Sequence, residues 1–151
     1  MGHSQSLADL HTKALTWLGA NTTIQMVIVI KIWDLFGNNH IRLLAMRYER
    51  GAANPVFAVS FGTHQLHHQS RNVLNNTILG ATPLTGVGEL DPATGNPYPA
   101  CNGAGIAQYQ LCIPTPLLFT GLPGGIPPAG PANGHYGLDL FRIQTGVIAS
   151  F

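Results

Sequence analysis

Charged side chains are scarce in this sequence of 151 residues. Lys and Arg number 7, Asp and Glu number 6, and together they make up 9% of the chain, against about 25% in typical soluble domains. Disordered chains combine few apolar residues with a high net charge, so a chain with 45% hydrophobic residues and a net charge of +1 is expected to fold. The same small net charge gives little attraction for a polyanion, and we do not expect nucleic acid as a partner.

Long hydrophobic runs are also missing. The longest apolar stretch, residues 26–33, is interrupted by Lys31 and is much shorter than the roughly 18 residues that a membrane span needs. The first residues carry no basic start followed by an apolar run, so we expect no signal peptide, no membrane partner and a cytoplasmic or other intracellular location. In that compartment the only cysteines, Cys101 and Cys112, are expected as thiols, with one disulfide as the alternative.

The chain length predicts one domain over residues 1–151. Residues 6–18 are expected to form a helix, because Ser6 and Asp9 have the spacing of a capping box and apolar residues follow at helical intervals. Gly19 is the expected end of this helix.

Three extended segments follow the helix. Residues 24–33 are rich in β-branched side chains and apolar on both alternating faces, which is typical of a central strand covered on both sides. Residues 41–49 and 56–61 continue the extended pattern, and residues 64–74 have the pattern of a short helix. We therefore predict an α+β fold in which an N-terminal helix packs on a central, mainly antiparallel sheet within residues 1–79.

Residues 80–134 differ in character, because they hold 10 of the chain's 11 prolines and no charged residue lies between Pro92 and Leu138. The segment is too apolar for a solvated linker, and we expect a long ordered Gly/Pro-rich wrap over the domain or onto a neighbouring subunit. Residues 135–151 are predicted to contain a C-terminal helix or a short strand.

Candidate functional residues are few. On a helix, His64 and His68 would stand at i and i+4, a spacing that lets two imidazoles reach one metal ion, but a third ligand is not evident; polar surface histidines are the alternative. No nucleophile with its base can be identified, so we assign no catalytic residue and no cofactor. Aromatic side chains combined with neutral amides are compatible with a groove for glycans, lined by Trp33, Tyr98, Tyr109 and Tyr136.

The N-terminal segment resembles the C-terminal part of the restriction-endonuclease-like, or PD-(D/E)xK, core found in fungal proteins. The resemblance rests on the motif Gly2-His3-Ser4-Gln5-Ser6-x-x-Asp9-Leu10-x-x-Lys13-Ala14-x-x-Trp17-Leu18 and on the apolar strand that follows it. Residues 59–63 and 107–119 are also similar to those proteins. The family's metal-binding Asp and the Glu and Lys of its signature would lie on strands before residue 1.

Only Gln5 matches a position that assists catalysis in some members of the family. One amide cannot bind Mg²⁺ or activate water, so the resemblance implies that the chain is not a nuclease by itself. A strand without its family neighbours would expose unpaired peptide groups.

We therefore expect a noncatalytic, self-associating structural or interaction protein that forms a homo-oligomer. The alternatives are a nuclease-like remnant active only with a partner chain and a glycan or small-ligand binding module.

Overall fold

The capping box at the start of the chain forms the first helix as predicted. The computed structural model describes residues 5–33, 35–37, 40–121, 123–124, 131 and 134–150. Helix α1 spans Leu7–Trp17, the Ser6 hydroxyl accepts from the Asp9 amide, and the Asp9 side chain accepts from the Ser6 amide. These bonds satisfy two backbone donors that the first turn of a helix otherwise leaves unpaired.

The β-branched and apolar segments after α1 form one sheet of four strands, in the order β1-β2-β3-β4. Strands β1, β2 and β3 are antiparallel neighbours, whereas β4 pairs with β3 in parallel. The fold is α+β with a mainly antiparallel sheet, as the sequence predicts. The strands are β1 (Met26–Ile32), β2 (Arg42–Glu49), β3 (Phe57–Gly62) and β4 (Leu84–Gly86).

The remaining elements lie around this sheet. Beyond β3, helix α2 spans His68–Val73 and continues as a π-helical turn over Leu74–Ile78. A second, two-stranded antiparallel sheet joins β5 to β6. The other elements are a 3-10 turn (Ala107–Tyr109), β5 (Gln110–Pro114), α3 (Thr115–Phe119), β6 (His135–Asp139) and α4 (Leu140–Ala149).

Two hydrophobic clusters cover the two faces of the four-stranded sheet. One packs α1 and the π-helical turn against Val27, Val29 and the even-numbered apolar residues of β2. The other packs α4 and β5 against odd-numbered residues of β2, with Leu43 and Ala45 fully buried. Because successive side chains of a strand point to opposite faces, β2 contributes to both clusters.

The described part of residues 80–134 is more structured than a plain wrap. Its residues form β4 at the edge of the main sheet and β5 of the second sheet, and Tyr109 and Leu111 are fully buried. Residues 122, 125–130 and 132–133 of the predicted wrap lie outside the described residues. At the C-terminus, the predicted helix or short strand is both, because β6 leads directly into α4 with Asp139 as its N-cap.

Arg50 joins the end of α1 to the start of β1. Its guanidinium donates to the main-chain oxygens of Gly19, Thr22 and Ile24 at 3.2, 2.5 and 2.9 Å. A planar guanidinium with several donors is suited to gathering carbonyl groups in this way. The contact fixes the direction in which the chain enters β1.

Candidate functional site

Strand β1 leaves one edge of the main sheet open within the described residues, where it pairs only with β2. The Trp33 amide donates to the Arg42 carbonyl, and the Gln25 carbonyl accepts from the Arg50 amide. Since hydrogen bonding alternates along an antiparallel pair, the odd-numbered residues of β1 bond to β2. The peptide groups of Met26, Ile28, Ile30 and Ile32 therefore point away from the sheet.

Both faces of β1 are covered although its edge is open. Val27 and Val29 are each only 7% exposed and belong to the cluster under α1. Ile28 and Ile30 pack against the cluster on the α4 side. The sequence correctly predicts a strand covered on both faces, but the central position that its composition indicated was wrong: among the described strands β1 pairs with β2 alone and lies at the edge of the sheet.

The only charge on β1 is directed toward the start of α1. Lys31 is 7% exposed, its Nζ donates to the main-chain carbonyl of Gln5 at 2.8 Å, and the same atom lies 5.6 Å from the centre of the Trp33 ring. A lysine ammonium is strongly hydrated in water, so its burial requires such compensating contacts. These contacts hold the ammonium on the α1 face of the sheet.

An open cleft of about 370 Å³ lies beside this lysine. The first turn of α1 forms one wall, the end of β1 the second, and α2 the third. The walls are mostly apolar, and Val73 of α2 is 40% exposed in the cleft. The lining residues are Gln5, Ser6, Leu7, Ala8, Lys31, Trp33, Gln69, Ser70 and Val73.

Gln5, the one position that the family resemblance assigns, lines this cleft. Its main-chain carbonyl contacts Lys31, and its side chain is exposed. Residues 2–4 of the motif lie outside the described residues. Among the described residues, no group of three or more His, Cys, Asp or Glu side chains is arranged to hold a metal ion.

The two predicted metal ligands do not share a helical face. His64 lies before α2, which begins only at His68, so the expected helix over residues 64–74 starts four residues later and ends in the π-helical turn. The i and i+4 geometry on which the pair was predicted is therefore absent. Val73 of α2 is one of the exposed apolar residues.

His64 instead stacks on His40. The two ring centres are 4.0 Å apart at an interplanar angle of 27°, and the Phe36 ring meets both edge-on. The Arg42 guanidinium lies 3.8 Å from the Phe36 ring centre. Sequence reasoning missed this cluster, because His40 and His64 become neighbours only through the pairing of β2 with β3.

The two cysteines are free thiols, as expected. Cys101 is 3% exposed, and burial raises the pKa of its thiol to about 11. Only a thiolate is a good nucleophile, so Cys101 is unreactive near neutral pH. Cys112 lies on β5, where its carbonyl accepts from Arg47 of β2 and links the two sheets.

The aromatic residues proposed for a glycan groove are dispersed. Trp33 packs with the cluster under α1, whereas Tyr109 is fully buried in the cluster on the opposite face and donates to the Pro99 carbonyl. Tyr136 is exposed on β6 of the second sheet. Trp33 and Tyr109 therefore cannot line one groove.

Comparison of the chain with protein-family models, with curated proteins and with solved structures gives no match. The resemblance to the restriction-endonuclease-like core thus stays a prediction from the sequence. Within the described residues, each helix is too short or too polar to cross a bilayer.

Proposed function

We propose that the protein is a noncatalytic, self-associating structural or interaction protein whose subunits join along the open edge of β1. The observation that carries the proposal is the row of peptide groups at Met26, Ile28, Ile30 and Ile32, which point away from a sheet whose faces are already covered. An exposed row of amides and carbonyls is a template for another strand. A second copy of β1 offers the same row.

Side chains at the ends of the strand favour a protein partner over solvent. Ile24, just before β1, and Ile32, the last residue of β1, are 41% and 40% exposed. Pairing of this strand with another would therefore remove apolar surface from water. The net charge of +1 gives two copies little mutual repulsion. Lys31 does not oppose the contact, because its ammonium is held at the Gln5 carbonyl.

Mass measured over a range of concentrations tests the proposal. We expect sedimentation equilibrium or light scattering to give at least twice the 16.1 kDa of one chain, with dissociation on dilution. A mass of one chain that does not change with concentration would exclude self-association.

A pair of matched variants tests the edge itself. Ile32→Lys places a charge at the end of β1 and is expected to weaken self-association at least tenfold, because a charge must lose water when a strand docks beside it. Val56→Lys is the control, since Val56 is also 40% exposed but lies before β3. Equal masses for the two variants at every concentration would place the interface elsewhere.

A nuclease-like remnant that works only with a partner chain is the second candidate. It is favoured by the position of Gln5 and Lys31 in one cleft next to the open edge, where a strand supplied by a partner would bring further side chains. Nucleic-acid cleavage with Mg²⁺ only after a chain bearing acidic strands is added would support this candidate. Continued inactivity of the mixture would remove it.

A further inference from the structure

Asn102 is followed by Gly103 in the loop that joins β4 to β5. The Asn102 side chain is exposed, and no described residue forms a hydrogen bond with it. Glycine has no Cβ, so the main-chain nitrogen of Gly103 is unhindered on the side of the asparagine that precedes it. The loop therefore places a carboxamide beside an accessible nucleophile.

The Gly103 amide is not engaged elsewhere. Among the described residues no oxygen accepts from it, and a Cβ built on Gly103 would meet no atom within 4 Å. The φ of Gly103 also lies outside the left-handed region. The nitrogen can therefore approach the Asn102 side chain without loss of a hydrogen bond of the fold and without displacing a neighbour.

Two other asparagines show what the approach requires. Asn96 precedes Pro97, whose nitrogen carries no hydrogen and cannot attack. A second Asn-Gly step lies at residues 133–134, and its glycine amide donates to the Pro131 carbonyl at 3.0 Å. The step at residues 102–103 therefore combines an N–H nucleophile with the absence of a hydrogen bond that would restrain it.

We propose that Asn102 is a deamidation site, at which the folded chain modifies itself without an enzyme. A bond forms between the Gly103 nitrogen and the side-chain amide carbon of Asn102, and the bond from that carbon to the side-chain nitrogen breaks. The Gly103 proton passes to a base in the solvent, and the leaving nitrogen takes up a proton and departs as ammonia. Water then opens the succinimide at one of its two carbonyls and gives aspartate or isoaspartate, with no oxidation or reduction.

The isoaspartate product changes the main chain beside a buried residue. Its β-carbon becomes part of the main chain directly after Cys101, which is 3% exposed in the cluster on the α4 side of the sheet. Further along the loop, Gly105 donates to the Asp139 carboxylate that caps α4. Because the chain between these two contacts becomes longer, the product is expected to loosen the packing of Cys101.

Ageing of the purified protein in mildly alkaline buffer tests the site. We expect a more acidic species to accumulate on ion exchange, because the new carboxylate cancels the formal net charge of +1. Peptide mapping is expected to place isoaspartate at residue 102, and the rate should rise with pH because the amide nitrogen attacks after it loses its proton. Asn96 is the internal control and should stay unmodified.

A matched pair of variants tests the role of the glycine. Gly103→Ala is expected to slow the reaction at least tenfold, because the added Cβ hinders the attacking nitrogen while the open surroundings preserve the fold. Gly146→Ala is the control, since a Cβ at that position of α4 also meets no atom within 4 Å. It should deamidate at the rate of the wild type.

Thiol reactivity tests the effect of the product. In a Cys112→Ser background, which leaves Cys101 as the only cysteine, the aged protein is expected to react at least threefold faster with a thiol reagent than the fresh protein. Asn102→Asp adds the charge without lengthening the main chain and should react like the fresh protein. Equal reactivity of aged and fresh protein would overturn the effect assigned to isoaspartate.

Other outcomes would overturn the site itself. They are the absence of the acidic species, modification at another residue in its place, an equal rate in Gly103→Ala, and modification that occurs only after unfolding in urea. Because peptide mapping is carried out on single chains, these outcomes are independent of self-association and of its failure.

Discussion

His11 and Tyr48 form a half-buried polar contact between α1 and the sheet. The Nδ1 atom of His11 lies 3.0 Å from the Tyr48 hydroxyl, and Tyr48 is fully buried. Burial lowers the pKa of His11 below its ordinary value of 6.5 and raises the pKa of Tyr48 to about 12. Both shifts favour the neutral side chains, so the contact is a hydrogen bond between uncharged groups.

The burial of His11 makes stability depend on pH. The unfolded chain takes up a proton at His11 near pH 6.5, whereas the folded chain takes it up only at a lower pH. Stability from His11 is therefore complete above about pH 6.5 and is lost as the pH falls through the folded pKa. Urea unfolding at several pH values is expected to show this loss in the wild type and a smaller loss in His11→Gln.

His68→Gln is the control for this measurement, because the His68 side chain is exposed at the start of α2. It should retain the dependence of the wild type on pH. If the stability of His11→Gln changes with pH as steeply as that of the wild type, the His11 imidazole does not contribute to the pH dependence.

At the scale of single residues, the sequence predicts local contacts well. Ser6 and Asp9 form the expected capping box, because their partners lie three residues apart. The contacts of Lys31 with Gln5 and of His40 with His64 join residues 26 and 24 positions apart in the chain. Residue types and local spacing carry no information about such pairs until the register of the strands is known.

At the scale of elements, strands were easier to predict than the segments that join them. Residues 41–49 and 56–61 form β2 and β3 within one residue of the predicted bounds, because apolar β-branched patterns persist along them. Strand β4 has three residues and follows Pro83, too short a stretch for a pattern to show. The composition of β1 did not indicate its open edge, because an edge strand covered on both faces has the same composition as an interior strand; only the family resemblance implied unpaired peptide groups there.

Glycine placement in two elements leads to opposite predictions. Gly146 is an exposed position of helix α4, and a Cβ there would meet no atom within 4 Å. Gly146→Ala is expected to raise the free energy of unfolding by about 0.5 to 1 kcal/mol, since alanine loses less backbone entropy in a helix. Gly62 has a φ of +111°, and its Cβ would lie 2.6 Å from the Ile41 carbonyl oxygen.

Gly62→Ala is therefore expected to destabilise the protein, because its backbone conformation disfavours L residues and the Ile41 carbonyl belongs to the backbone. Urea denaturation of both variants measures the two changes. A loss of stability in Gly146→Ala, or none in Gly62→Ala, would contradict the interpretation.

At the scale of the whole molecule, the outward peptide groups predict how two copies would meet. A two-fold axis at Val29 pairs Met26 with Ile32 of the second copy and Ile28 with Ile30, so that all four outward groups of β1 are bonded. In this register each Lys31 faces a Val27, and the two lysines are not opposite each other. A register centred on Lys31 would place like charges together.

Cysteine cross-linking distinguishes this register from others. Across the axis the two Val29 residues form a non-hydrogen-bonded pair, with Cα atoms about 4.5 Å apart, which is within the range for a disulfide. Val29→Cys is expected to give a covalent dimer under mild oxidation. Val27→Cys is the matched control, because Val27 is also 7% exposed but would lie about 13 Å from its symmetry mate.

Two outcomes would reject the register without rejecting self-association. One is a covalent dimer of Val27→Cys. The other is a Val29→Cys sample that has the mass of a dimer but forms no cross-link. A sample with the mass of one chain would reject both.

The central position of β2 has a consequence for unfolding. Its even-numbered residues belong to the cluster under α1, and its odd-numbered residues belong to the cluster under α4. Loss of either layer would expose one face of β2, and the other layer packs on the opposite face of the same strand. We therefore expect the two layers to melt in one cooperative transition, with calorimetric and van't Hoff enthalpies that agree.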